Sequence, residues 1–158
     1  MANFNVVRNN HAAVVLGDEV VYLFSGRDSE ANWLNSIERL KDTRNSWEFI
    51  KIAKPIRGRM NSGVVVINEE QILVFGGWGG NKSLTDIYLF DTKTMEYEEM
   101  VKDTKVPVVP GKYPVVYDSF SKKVNFCNSK DNGFYSIEIA TFKVQKIADI
   151  NMQLTMIY

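Results

Sequence analysis

The chain repeats itself at intervals of about 50 residues. Laying Ser25-Gly26 over Gly76-Gly77, an offset of 51, brings Arg8 onto Arg59, Ala13-Val14-Val15 onto Val64-Val65-Val66, and Tyr22-Leu23-Phe24 onto Leu73-Val74-Phe75. A little further on the offset becomes 50, and Ser36 to Leu40 lies over Asp86 to Phe90. A third copy starts near Gly111 and runs through Pro114 to Tyr117, Val124 to Cys127 and Tyr135 to Ile139. One spacing survives in all three: Leu40 to Trp47, Phe90 to Tyr97 and Ile137 to Val144 are each seven residues apart. A period of this size makes each copy one supersecondary unit that buries its apolar faces by stacking on its neighbours.

Within each copy the apolar residues alternate or form short β-branched blocks. The blocks end at Gly, Asn, Asp or Ser, the signature of antiparallel strands joined by tight turns. Strands are expected at 11–16, 20–25, 36–41 and 46–52, then 60–67, 71–76, 86–91 and 96–101, then 113–117, 122–127, 134–138 and 143–148. Four short strands per 50-residue unit describe the blade of a β-propeller. The expected class is all-β, in about three four-stranded antiparallel blades at 8–52, 57–102 and 111–148. The whole of 1–158 is read as a single segment. Residues 3–7 and 152–158 read as partial strands of flanking blades. Three blades do not close a ring, since propellers have four to eight. Closure is expected from a longer chain, from a second copy forming a homodimer, or from a complex.

The order of hydrophobic strand, Gly-Gly, aromatic or aliphatic position and then an aromatic seven residues later resembles the kelch repeat. Arg59 through Tyr97 matches best, with Gly76-Gly77 intact. Arg8 through Trp47 follows, with His11 and Trp47 in their usual places and Ser25 in place of one glycine. The third copy lacks both glycines and has Val144 for the aromatic. Gly26, Trp47, Gly76, Gly77 and Tyr97 are therefore the expected structural positions. The glycine pair ends the second strand in a turn open to positive φ, and the rings at 47 and 97 fill space between blades. The resemblance implies a protein-binding propeller of adaptor or scaffold type. Its partner-binding face is implied to be the one carrying the loops between second and third strands.

Loop length points to that same face. In a four-stranded meander the second-to-third loops (26–35, 77–85, 128–133) share an end with the inter-blade connections (53–59, 103–112). These are the longest connections, and loops on a rigid scaffold carry binding. Partner-binding candidates there are Arg27, Trp33, Lys54, Arg57, Arg59, Trp78, Asn81 and Lys82. Trp33 and Trp78 lie in loops, where a blade demands no burial, and Trp is a preferred hot-spot residue; the alternative is that each ring plugs its own loop. Lys54, Arg57 and Arg59 lie in a stretch without an acid from Lys51 to Met60, suited to an acidic peptide through bidentate arginine pairing. The alternative for Arg59 is an arginine paired inside the propeller, and Arg27 and Asp28 form a candidate pair with each other. Glu96, Glu98 and Glu99 read as charges that discourage edge-to-edge pairing of an outermost strand.

Other chemistries find few residues. Gly76 to Gly80 is glycine-rich but lacks the Lys and Ser/Thr of a phosphate loop, and no amphipathic helix follows it. One histidine, His11, and one cysteine, Cys127, do not lead a zinc site of three or four ligands, and neither a catalytic residue nor a cofactor or metal is expected. Nineteen basic residues balance nineteen acidic ones, giving no global field toward nucleic acid or anionic lipid. The longest apolar runs are of strand length, short of a membrane helix. The lone cysteine argues for a reducing compartment, with the cytoplasm expected. Two rival readings stand beside a binding module: an architectural subunit held through its open blade faces, and a fragment of a propeller enzyme whose catalytic groups lie elsewhere.

Overall fold

Twelve strands, and no helix, make up the computed structural model over the residues it describes, 5–41, 46–106, 108–111 and 113–150. The first sheet contains β1 (Ala12–Leu16), β2 (Val20–Phe24), β3 (Ile37–Lys41) and β4 (Ser46–Ile50). The second contains β5 (Gly63–Val66), β6 (Gln71–Phe75), β7 (Ile87–Asp91) and β8 (Glu96–Val101). The third contains β9 (Val115–Asp118), β10 (Lys123–Asn128), β11 (Gly133–Glu138) and β12 (Lys143–Asp149). Each is an antiparallel meander in sequence order, so the chain is three blades of a propeller. The first strands are the inner ones, β1 beside β5 and β5 beside β9.

The three seven-residue spacings have one structural meaning. Leu40 and Trp47, Phe90 and Tyr97, and Ile137 and Val144 are direct cross-strand partners in the hairpin between third and fourth strands. Opposed side chains on one face of a hairpin interact closely, and the Phe90 and Tyr97 rings lie 5.2 Å apart.

Stacking buries both faces of the middle blade. Ile72, Leu73, Val74 and Phe75 are all 0% exposed, possible for four consecutive strand residues only with a neighbour on each side. Ile72, Val74 and Phe90 pack toward Tyr22, Phe24 and Ile37 of the first blade, with the Phe24 and Phe90 rings edge to face at 5.5 Å. Leu73, Phe75, Ile87 and Leu89 pack toward Val124, Phe126, Tyr135 and Ile137 of the third.

The expected strand at 60–67 starts later than its apolar pattern indicates. Asn61 adopts φ of 53°, which breaks the extended backbone, and Met60 pairs instead in an isolated bridge with Trp78. The first blade's fourth strand ends at Ile50 rather than at residue 52. Of the flanking segments, residues 3, 4 and 152–158 lie outside the described residues, while Asn5 and Val6 bend.

Candidate functional site

Isolated bridges gather the long loops at one end of the blades. Arg27 pairs with Asn9 and with Trp33, and Trp78 pairs with Met60 and with Ser83. In the first two blades the second-to-third loop is thereby laced to the connection that enters its own blade. It is also tied to the next connection: the Gly26 N–H donates to the Arg59 carbonyl at 2.8 Å, and the Gly77 N–H to the Val108 carbonyl at 2.7 Å. The expected sharing of one face by these connections holds.

Gly76 shows why this face demands glycine. Its φ is +57°, and an added Cβ would fall 1.9 Å from the Val108 carbonyl oxygen. Ser25, at the same place in the first blade, adopts φ of 61° with a side chain, so the left-handed backbone belongs to the position. The close approach of the next connection is what excludes a side chain at Gly76. Gly26 and Gly77 also have positive φ, 104° and 96°.

Two arginines are spent inside the scaffold. Arg59 is 0% exposed and grips Asp86 with both terminal nitrogens, Nη1 to Oδ1 at 2.6 Å and Nη2 to Oδ2 at 3.0 Å, while Nη1 also donates to the Gly76 carbonyl. Arg59 therefore leaves the set of partner-binding candidates, because a buried bidentate pair offers no free donor edge. Arg8 does the same work in the first blade, donating to the Ser25 carbonyl at 2.8 Å and pairing with Glu38. The acid has moved two residues along the strand: Ser36 stands where Asp86 does, and Glu38 where Tyr88 does. In the second blade the Arg59 guanidinium lies 5.5 Å from the Tyr88 ring centre, so one position answers the arginine once with a carboxylate and once with an aromatic face.

The loop tryptophans are held in place. Trp33 is partly buried and lies under the Arg27 guanidinium, 5.3 Å from its ring. Its backbone presses on the following connection, where a Cβ on Gly58 would fall 2.2 Å from the Trp33 carbonyl oxygen. Its indole reaches the second blade, since a Cβ on Gly80 would fall 2.9 Å from Trp33 Nε1. Trp78 donates its indole N–H to the Gly80 carbonyl at 2.8 Å. Both rings brace loops, and Trp33 bridges two blades rather than plugging its own loop alone. Arg27 and Asp28 form no ion pair. Asp28 accepts from the Glu30 and Asn32 N–H groups and from the Asn32 side chain, which holds its carboxyl below the usual range.

Arg57 is exposed yet fixed, its Nη2 donating to the Gly79 carbonyl at 2.7 Å and the Asn81 side-chain oxygen at 3.3 Å. It borders a cavity of about 200 Å³ with Lys82, Lys102, Thr85, Tyr88 and Glu99. Asp86 also lines it, but its charge is met by Arg59. Burial, with Asp86 and Glu99 next, raises the Tyr88 hydroxyl above its ordinary value, so Tyr88 is a neutral donor. Lys54 is exposed on the same connection, and the Lys130 ammonium reaches Ser83 Oγ at 3.2 Å. The structure thus brings Arg57, Asn81 and Lys82 together and leaves Lys54 outside that group.

Sequence reasoning missed a backbone belt near the inner strands. Asn10, Asn61 and Gly111 fall at successive repeat offsets of 51 and 50, and all have positive φ (52°, 53° and 66°). The Asn61 N–H donates to the Asn10 carbonyl at 3.0 Å, and the Gly111 N–H to the Asn61 carbonyl at 3.3 Å. Asn and Gly are the residues that tolerate this conformation, so their recurrence was the available signal. Gly111, at the end of the belt, borders a cavity of about 380 Å³ between the inner strands, which His11, Ser62 and Tyr113 also line.

Over residues 3–146 the chain matches the KLHDC2/KLHL20/DRC7 Kelch-repeats domain. It is 29% identical over 99 residues to Tip elongation aberrant protein 3 of Schizosaccharomyces pombe. That alignment covers 60% of this chain and 9% of the yeast protein, so the chain spans less than a tenth of that relative's length.

Proposed function

The chain belongs to the kelch-repeat family, whose domains are generally protein-interaction modules, and from that premise we propose a non-catalytic adaptor or scaffold that receives an acidic segment of a partner protein on its long-loop face. The observation that carries this reading is the fixed Arg57 beside Lys82 and Lys102 at a cavity where Arg59 already neutralises Asp86 and the three cations outnumber the other lining carboxylate, Glu99. Holding Arg57 against two loop oxygens removes much of the entropy that a long side chain loses on binding. The neutral Tyr88 hydroxyl adds a hydrogen-bond donor for a carboxylate. Lys54, Asn81, Arg27 and the exposed parts of Trp33 and Trp78 form the surroundings over which the rest of the segment lies. The lone Cys127 suits a reducing compartment, and we place the protein in the cytoplasm on that ground.

A labelled glutamate-rich peptide, with a lysine-rich peptide as control, tests the site by fluorescence anisotropy. Binding of the acidic peptide alone is expected, weakening as salt rises. Arg57→Glu with Lys82→Glu should lower affinity at least about tenfold, roughly 1.4 kcal/mol, with unchanged thermal unfolding. Equal binding of both peptides, or full affinity in the double variant, refutes the acidic-segment reading.

A further inference from the structure

Four cations of the long-loop face meet at one small cavity without anionic partners. Arg57, Lys82 and Lys102 line it. They come from the connection into the second blade, the loop between β6 and β7, and the residue after β8. Lys130 arrives from the third blade, its ammonium 3.2 Å from Ser83 Oγ, and Ser83 lines the same cavity. Among the described residues none of the four forms a salt bridge. The nearby acids are spent elsewhere: Asp86 on Arg59, and Asp103 on Lys105 and the Thr85 side chain. Glu99, the cross-strand partner of Tyr88, is the one lining carboxylate outside a salt bridge among the described residues.

The size of the cavity narrows what can neutralise these charges. At about 200 Å³ it falls below the roughly 300–1,000 Å³ of pockets that enclose a whole small molecule. It has room for one compact head group. Cations sharing a site repel one another, and a single carboxylate would offset only one of the four. A phosphoryl group carries a charge of about −1.5 to −2 at neutral pH on three strong acceptor oxygens. Those oxygens suit donors that approach from separate segments.

The donors present fit that group. Arg57 spends Nη2 on the Gly79 carbonyl and the Asn81 side chain, while its Nη1 makes no hydrogen bond among the described residues. Ser83 Oγ accepts from Lys130, so its own O–H is left to donate. The Tyr88 hydroxyl lies on the same wall. Charged donors make the shorter, stronger hydrogen bonds that favour a dianion over a neutral side chain.

We propose, resting on the acidic-segment reading, that the group seated in this cavity is a phosphorylated side chain of the partner segment. Arg57, Lys82 and Lys102 of the second blade hold it from one side, and Lys130 of the third blade closes on it from the other. Glu99 opposes it and sets the limit of its affinity.

Three labelled peptides of one acidic sequence, with serine, glutamate or phosphoserine at the centre, are titrated with the full chain by fluorescence anisotropy. The phosphoserine peptide should bind at least about tenfold more tightly than the glutamate peptide. Lys130→Ala should remove at least about fivefold of the phosphoserine affinity and change the glutamate peptide by less than about twofold. Glu99→Gln should tighten the phosphoserine peptide. Inorganic phosphate should displace that peptide more effectively than chloride at equal ionic strength. Equal affinity for the phosphoserine and glutamate peptides overturns the proposal while leaving the acidic-segment reading standing. Displacement by inorganic phosphate without any preference for the phosphoserine peptide overturns it too, by marking a site for the free anion. Binding of none of the three peptides removes both readings together. An unchanged phosphoserine affinity in a folded Lys130→Ala chain refutes the clamp between blades. Should that variant not fold, the preference between peptides in the parent chain decides.

Discussion

A buried arginine and an exposed one two residues away divide the roles of scaffold and site. Removing Arg59 strands the Asp86 carboxylate, only 14% exposed, and the loss of one partner of a buried pair costs about 3–5 kcal/mol. Arg59→Ala should therefore lower unfolding stability by about that amount in a urea titration, while Arg57→Ala should change it by less than about 1 kcal/mol. His11 works at the same scale. Burial first, and the Arg8 charge second, lower its pKa from the ordinary 6.5. Between that value and the folded one, the unfolded chain binds more protons, so stability rises with pH across this window. The histidine contribution is complete above about 6.5 and is lost as pH falls through the folded pKa. Urea midpoints between pH 5 and 7 should show that slope, and His11→Gln should flatten it.

At the scale of elements, the turn after each second strand and the hairpin between third and fourth strands hold a blade in shape. Gly76→Ala meets both a left-handed backbone and the Val108 carbonyl, and should destabilise by more than about 1 kcal/mol. Ser25→Gly, at the equivalent position, should shift the thermal midpoint little by comparison. Tyr97 sits against Phe90 and, at 6.0 Å, Tyr88; Tyr97→Ala should cost about 3 kcal/mol through the void it leaves. Trp33→Ala should loosen two blades' loops together, because the residue touches both Gly58 and Gly80. Faster amide exchange at Leu34 and Gly79 would register this, since both donate hydrogen bonds within the braced loops. If only the first blade's loop responded, the bridging role would fail.

For the molecule as a whole, stability should grade from the middle outward. A linear stack gains from each interface, and among the described residues only the second blade has cores on both sides. Native-state exchange should find the slowest amides in β6 and β7. The fastest strand amides should lie in the outermost strands, where β12 is exposed along nearly its whole length. A slowest core in the first or third blade would contradict the stacking account. Removing the blade-to-blade contacts of Phe24 or Phe126 should bring the middle blade's protection down as well, because each ring packs on it.

Periodicity was legible because strand alternation, tight turns and stacking act on every copy alike. The sequence by itself determined the all-β class, the three blades, the glycine turns and the cross-strand partners seven residues apart. It also located the long loops on one face, since a meander leaves no other arrangement. It offered pairing inside the propeller for Arg59 while keeping it beside Arg57 among the binding candidates, and it did not reveal that Trp33 braces its neighbour, because residues alike in type differ only in where the next blade's backbone passes. The buried acid shows the same limit: Ser36 and Glu38 in one blade do the work of Asp86 and Tyr88 in the other, a swap between alternate residues on one strand face that alignment reads as mismatch. Burial and hydrogen-bond partners are properties of distant segments brought together. Only the tertiary structure decided them.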